Sequence, residues 1–200
     1  MKAATAPMEA LLAAELPAGE GWQYEPKWDG FRCLARRDGA DVELISKNGK
    51  PLGRYFPEVV EILAGLKPKQ FLLDGELIIP VGDVLSFDAL QLRLHPAESR
   101  VRKLAGETPA ELMLFDLLSL GSKDLAGRPL SERRSALEKL HSSIDAPGAQ
   151  AVPGDPRPWH RARLARAGRR SARWSDRQAP RPAVQIRRAG DGEGEAGAHR

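Results

Sequence analysis

The sequence predicts an α+β domain over roughly its first 150 residues and a last quarter with no core of its own. Two observations predict the domain: strand-like and helix-like apolar patterns alternate along it, and an early Asp38-Gly39 pair marks a hairpin turn. A third predicts the tail: after residue 150 the only Val, Leu or Ile residues are Val152, Leu164, Val184 and Ile186. In chain order, residues 8–15 read as a short amphipathic helix closed by Pro17 and Gly19. Phe31–Arg36 and Val42–Ser46 read as the two strands of the hairpin. Pro57–Leu66 has helical spacing, with Val59, Ile62, Leu63 and Leu66 on one face. Phe71–Pro80 is apolar almost throughout, which predicts a buried strand, and Leu112–Leu117 predicts another. Asp88–Arg93 reads as a short helix and Ser131–Leu140 as a charged one.

The chain has 200 residues and a formal net charge of +4. That length can bury a core without a disulfide or a metal staple. The single cysteine, Cys33, excludes a disulfide framework and any multi-cysteine zinc or iron–sulfur site. No apolar run approaches the roughly 20 residues that span a bilayer, and no basic segment leads into an apolar core at the N-terminus. A cytoplasmic, reducing setting without a membrane partner is the expectation. The charge is unevenly spread. Residues 151–200 hold 12 Arg, no Lys and five acidic residues, a net of +7, whereas residues 1–150 sum to −3. The division therefore falls at 1–148, the folded domain, and 149–200, a tail rich in Arg, Ala, Gly and Pro that reads as disordered.

Four polar constellations interrupt the apolar pattern. The densest is Glu25-Pro26-Lys27-Trp28-Asp29-Gly30-Phe31-Arg32. A lysine held beside Trp28 and Phe31 is partly desolvated, which favours the neutral, nucleophilic amine. Asp29 and Arg32 suit a polar ligand, and Gly30 permits close backbone approach. An ordinary solvated turn has the same composition. Asp74-Gly75-Glu76 places two carboxylates inside a buried strand, where charge is costly unless paired or bound to a metal. Phe115-Asp116 ends the second buried strand, and Ser46-Lys47-Asn48-Gly49-Lys50 is a basic loop suited to phosphate or simply a hairpin turn.

Taken in order and at this spacing, these segments resemble the successive motifs of the covalent nucleotidyltransferases. Tyr24–Arg32, Arg54-Tyr55-Phe56-Pro57-Glu58 and Phe87-Asp88 with Leu90-Gln91 and Arg93 look like short bacterial ATP-dependent DNA ligases over about residues 8–148. The resemblance implies an ATP-grasp-like nucleotidyltransferase (adenylation) core of antiparallel sheets with flanking helices. It also implies that Lys27 attacks the α-phosphate of ATP and carries AMP through a phosphoramide bond. Glu25 would recognise adenine, Phe115 would stack on it, and Arg32 and Glu76 would contact the ribose. Trp28, Asp29 and Gly30 would shape the nucleotide-binding turn, and Lys47 would contact phosphate or the nick. Mg²⁺ or Mn²⁺ would sit near Glu76 and neutralise the transferred phosphates. The implied substrate is nicked double-stranded DNA, sealed in repair and recombination by a monomer associated with the bacterial nucleoid. RNA ligases and capping guanylyltransferases share Lys-x-Asp-Gly, but the Phe87–Arg93 segment favours the DNA ligase.

The family pattern continues with an Asp/Glu-Gly-x-x-x-Lys strand, a Lys-x-Lys pair and an OB domain, whereas this chain has no lysine after Lys139. The expectation is a core incomplete at its C-terminal end, with apolar faces of Phe71–Pro80 and Leu112–Leu118 exposed. A reading-frame shift near Gly148–Ala151 accounts for the tail. In back-translation moved forward by one nucleotide, Arg173–Ala179 can read D-G-V-I-A-K-R. Val184–Arg200 can read Y-K-Y-G-E-R-A-M-V-K-V-K-R-A-R-T in the same frame, which restores both lysine motifs in order. On this reading the chain is a truncated ligase defective in sealing. The alternatives are a non-catalytic basic nucleic-acid-binding fragment, using Trp159 and Trp174 with the tail arginines, or a frameshift product without function.

Overall fold

The computed structural model describes residues 22–26, 28–82, 84–142, 148–151 and 184–188. The helix expected at 8–15, Lys27 and most of the tail lie outside them. The strands are β1 (Trp22–Pro26), β2 (Phe31–Asp38), β3 (Asp41–Ser46), β4 (Gln70–Ile78), β5 (Pro80–Val81), β6 (Val84–Leu85), β7 (Glu111–Leu120), β8 (Lys123–Asp124), β9 (Ala149–Ala151) and β10 (Val184–Arg188). The helices are α1 (Pro57–Gly65), α2 (Phe87–Arg93), α3 (Glu98–Glu107) and α4 (Leu130–Ser142).

The main sheet runs β3-β2-β4-β7, antiparallel throughout, with β8 antiparallel and β9 parallel on the outer edge of β7. The β2–β3 hairpin turns at Gly39, whose positive φ of 65° suits a residue without Cβ. On one face, Phe71, Leu73 and Leu77 of β4 and Leu112, Leu114 and Leu117 of β7 pack with Val59 and Leu63 of α1 and Leu137 and Leu140 of α4. Its opposite face carries a smaller cluster of Trp28, Ile78, Met113 and Phe115, with Leu85 against it.

Two β-bulges decide which face each residue of β7 takes. Asp74 pairs with Asp116 but Gly75 pairs with Leu114, so Phe115 is an extra residue; a second shift follows between Leu72 and Leu73. While β4 alternates strictly, the helix-side residues of β7 step from Leu112 and Leu114 to Leu117.

Charged side chains tie the helices down. Arg37 is buried and donates through Nη1 to the carbonyls of Leu63 (2.9 Å), Leu66 (2.7 Å) and Pro68 (3.2 Å). That places a cation on the negative end of α1. Arg93 of α2, fully buried, donates to the carbonyls of Tyr55 (3.1 Å) and Thr108 (3.2 Å) and to Glu58 Oε1. Glu58 Oε1 also accepts from the Ala110 amide at 2.9 Å. The Arg54–Glu58 and Phe87–Arg93 segments of the sequence therefore meet as one architectural clamp.

Three differences from the sequence reading stand out. Helix α3 was not legible, because it is polar overall and buries only Val101. The strands Phe71–Pro80 and Leu112–Leu118 do not expose apolar faces: Phe71, Leu73, Leu77, Leu112, Leu114, Phe115 and Leu117 are all wholly buried. Helices α1 and α4 cover one side, Trp28 and Leu85 pack on the other, and β8 and β9 occupy the outer edge of β7. Finally, the described residues within 149–200 form two strands. Ala149–Ala151 pairs with Leu112–Leu114, and Val184–Arg188 pairs antiparallel with Trp22–Pro26. Val184 and Ile186 alternate with polar residues, a period-2 pattern too short to register in a composition dominated by Arg, Ala and Gly.

Candidate nucleotide-binding site

The site is built on the sheet face opposite α1 and α4, where the turn Trp28-Asp29-Gly30 leads into β2. Gly30 is required there by packing. A Cβ on it would lie 2.3 Å from the Leu77 carbonyl oxygen and 2.6 Å from Glu76 Cγ. The turn is thereby pressed onto β4 at Glu76. Gly75 is equally constrained, since its Cβ would meet the Met113 carbonyl oxygen at 2.5 Å. These two glycines bring the turn, β4 and β7 into one layer.

Register then aligns the polar groups. Arg32 of β2 lies opposite Glu76 of β4. Its guanidinium grips Asp74 with two hydrogen bonds, Nε to Oδ1 at 2.6 Å and Nη2 to Oδ2 at 2.5 Å. Asp74 is wholly buried and the Arg32 side chain 16% exposed. The bidentate pairing offsets the cost of burying that carboxylate. Arg32 also lies over the Phe115 ring, 4.9 Å from its centroid. Glu76 is buried beside this pair. Arg32, Glu76 and Phe115 are thus brought together, with Trp28 buried against Phe115 in the same cluster.

The remaining candidates are placed differently. Asp29 and Lys47 are exposed. Lys47 lies in the turn that closes when the Gly49 amide donates to the Ser46 carbonyl at 2.9 Å and the Lys50 amide to Ser46 Oγ at 3.0 Å. Glu25 belongs to β1, paired in register with Gln185, and Lys27 falls outside the described residues. Phe115 is fully buried under Arg32, rather than an open platform.

Sequence reasoning named Asp74 and Asp116 but missed their partners, and it did not single out Arg133. Asp74 is the partner that holds Arg32; its burial in an apolar strand was a signal, but its partner is 42 residues away. Asp116 is wholly buried and bound by Arg133 of α4, with Nε 2.9 Å from Oδ1 and 3.1 Å from Oδ2. Arg133 occupies a core-facing position of α4, where an apolar residue is the usual occupant. Cys33 lies opposite Gly75, and burial pushes its thiol up to about 12; the Ile45 backbone opposes that shift while Asp74 and Glu76 add to it.

A divalent ion is held in such sites by one or two carboxylates together with substrate phosphates and water. Among the described residues no cluster of three or more His, Cys, Asp or Glu could hold one alone. Glu76 fits as a single carboxylate for an ion that arrives with a triphosphate.

An antiparallel core with Gly30 pressed onto a strand, a paired arginine, a buried glutamate and an aromatic ring defines an adenylation-type nucleotidyltransferase domain. The comparisons sharpen that class. The ATP dependent DNA ligase domain family matches residues 2–151, and the chain belongs to that family. It is 52% identical over 132 residues to DNA ligase C2 of Mycolicibacterium smegmatis, covering 66% of this chain and 37% of that protein. It is 53% identical over 131 residues to DNA ligase C of Mycobacterium tuberculosis, covering 66% and 36%. The chain thus spans little more than a third of either relative's length. A solved mycobacterial DNA ligase D complexed with ATP and MES superposes with a TM-score of 0.60 at 26% identity, over 85% of this chain and 49% of that one.

Proposed function

We propose that this chain binds ATP on the Arg32–Glu76–Phe115 face and accepts AMP on Lys27. The amine of Lys27 attacks the α-phosphorus, a P–N bond forms, the bond to the β-phosphate oxygen breaks, and pyrophosphate leaves. The lysine must first shed its proton, which a partly desolvated site favours. Arg32 and Glu76 bind the ribose, Phe115 supports Arg32 from beneath, and Gly30 lets the backbone close on the nucleotide. Mg²⁺ at Glu76 supplies charge neutralisation on the phosphates when bound. The observation that carries this reading is the convergence of Arg32, Asp74, Glu76 and Phe115 on one face with Trp28, the residue that follows Lys27 in the sequence. In the complete reaction, a DNA 5′-phosphate oxygen takes AMP and frees the lysine. The 3′-hydroxyl then displaces AMP and closes a nick, as DNA repair requires.

Sealing by this chain is not expected. No lysine follows Lys139 to grip the triphosphate, and the family match ends at residue 151, where the composition changes. That coincidence supports the reading of a frame shift near Gly148–Ala151, with 149–200 as the out-of-frame tail. Sequencing the gene tests it: a stop codon in the shifted frame before the two lysine motifs sinks the idea. Incubation with α-labelled ATP tests the chemistry. The expected result is weak labelling that Lys27→Ala abolishes, with no closure of nicked duplex. Labelling that survives Lys27→Ala removes the assignment, and robust closure refutes the defect.

A further inference from the structure

We propose that Asp116 and Arg133 are positioning residues for the Phe115 ring on which Arg32 lies, acting through the bulge at Phe115. This rests on the reading of Arg32 as a contact to the nucleotide. Between Leu114 and Asp116 the β7 ladder gains one residue relative to β4, and that residue is Phe115. Without the bulge, β7 would stay in phase with β4 and could not supply Phe115 to the site face and Leu117 to the helix-side core. Such a distortion needs its backbone groups satisfied. Asp116 does this locally: its Oδ1 accepts the Leu117 amide at 2.9 Å. The carboxylate is wholly buried, so its charge must be met, and Arg133 meets both oxygens. Arg133 is anchored in turn, donating through Nη1 to the carbonyls of Ala126 and Arg128 in the segment leading into α4. Phe115 is therefore held from two sides. Arg32, fixed by Asp74, covers its ring, while Asp116, fixed by Arg133, holds the backbone that carries it. Helix α4 contributes to nucleotide binding without touching the nucleotide.

The test uses the full chain with ¹⁵N-labelled arginine. The Arg32 Nε–H resonance, identified by its loss in Arg32→Lys, reports the Phe115 ring above which it lies. It should move in Asp116→Asn and in Arg133→Gln, and return most of the way in Arg133→Lys. Equilibrium dialysis with labelled ATP should show about tenfold weaker binding for Asp116→Asn and a similar loss for Phe115→Leu. The double variant should bind no worse than Phe115→Leu, because the two changes remove one interaction. An unmoved Arg32 resonance in Asp116→Asn overturns the proposal, and so do losses that add in the double variant. If the resonance moves as expected but the wild-type chain binds no ATP, the positioning of Phe115 stands and the nucleotide reading fails.

Discussion

Of the arginine–carboxylate pairs that join elements of this molecule, Arg93–Glu58 and Arg32–Asp74 do different work. Arg93–Glu58 joins α2 to α1 with a wholly buried arginine whose other donors are spent on the Tyr55 and Thr108 carbonyls. Arg32–Asp74 joins β2 to β4 with a wholly buried carboxylate but an arginine that keeps some exposure, lying over Phe115 beside Glu76. The difference lies in where the cation's donors go. A guanidinium saturated by backbone carbonyls is architecture. One gripped by a buried carboxylate, with an edge toward solvent, is pre-oriented toward a ligand.

Breaking the architectural pair should have the largest effect. Arg93→Ala leaves Glu58 half-desolvated without its partner and is expected to cost ~3 to 5 kcal/mol, read as a lowered midpoint in urea. Arg93→Met with Glu58→Leu should recover much of that loss. Next comes the glycine that seats the turn: Gly30→Ala drives a Cβ into the Leu77 carbonyl and should cost about 1 to 3 kcal/mol. Arg32→Lys sharpens the contrast. It keeps the charge but loses the two-pronged grip on Asp74, so ATP binding should weaken about tenfold while stability changes by roughly 1 kcal/mol or less. Equal losses of stability in Arg32→Lys and Arg93→Ala would erase the distinction.

Two smaller effects calibrate the rest. Cys33 stays a thiol in the folded chain up to about pH 12, whereas an unfolded thiol ionises near pH 9. Its contribution to stability is therefore constant below about pH 9 and is lost as pH rises toward 12. At pH 8 the native chain should not react with iodoacetamide, and rapid stoichiometric alkylation would contradict its burial. Smallest of all is the exposed Arg102–Glu98 pair on α3, 2.8 Å apart with both side chains largely in solvent. Arg102→Ala should shift stability by no more than about 0.5 kcal/mol.

Much of the fold was legible because its signals are local. Val59, Leu63 and Leu66 repeat at helical spacing, Asp38-Gly39 marks the hairpin, and the continuous apolar run of β4 announces burial on both faces. Helix α3 was not legible, since a helix that buries only Val101 has almost no periodic signal. At the site, the pattern from Lys27 to Phe115 named the candidates but not their partners. Asp74 read as a buried carboxylate that needed a partner or a metal, and that partner is Arg32. Asp116 looked like the end of a strand and proved to secure a bulge with Arg133.

The sequence by itself determined the family, the order of the motifs, the strands that are buried and the residue at which the basic tail begins. The tertiary structure alone decided which arginine meets which carboxylate, and which way Phe115 faces. The physical reason is range. Alternation and helical spacing are properties of neighbours, whereas the three buried pairs join residues 17, 35 and 42 positions apart. The bulge at Phe115 appears only once β7 is laid against β4.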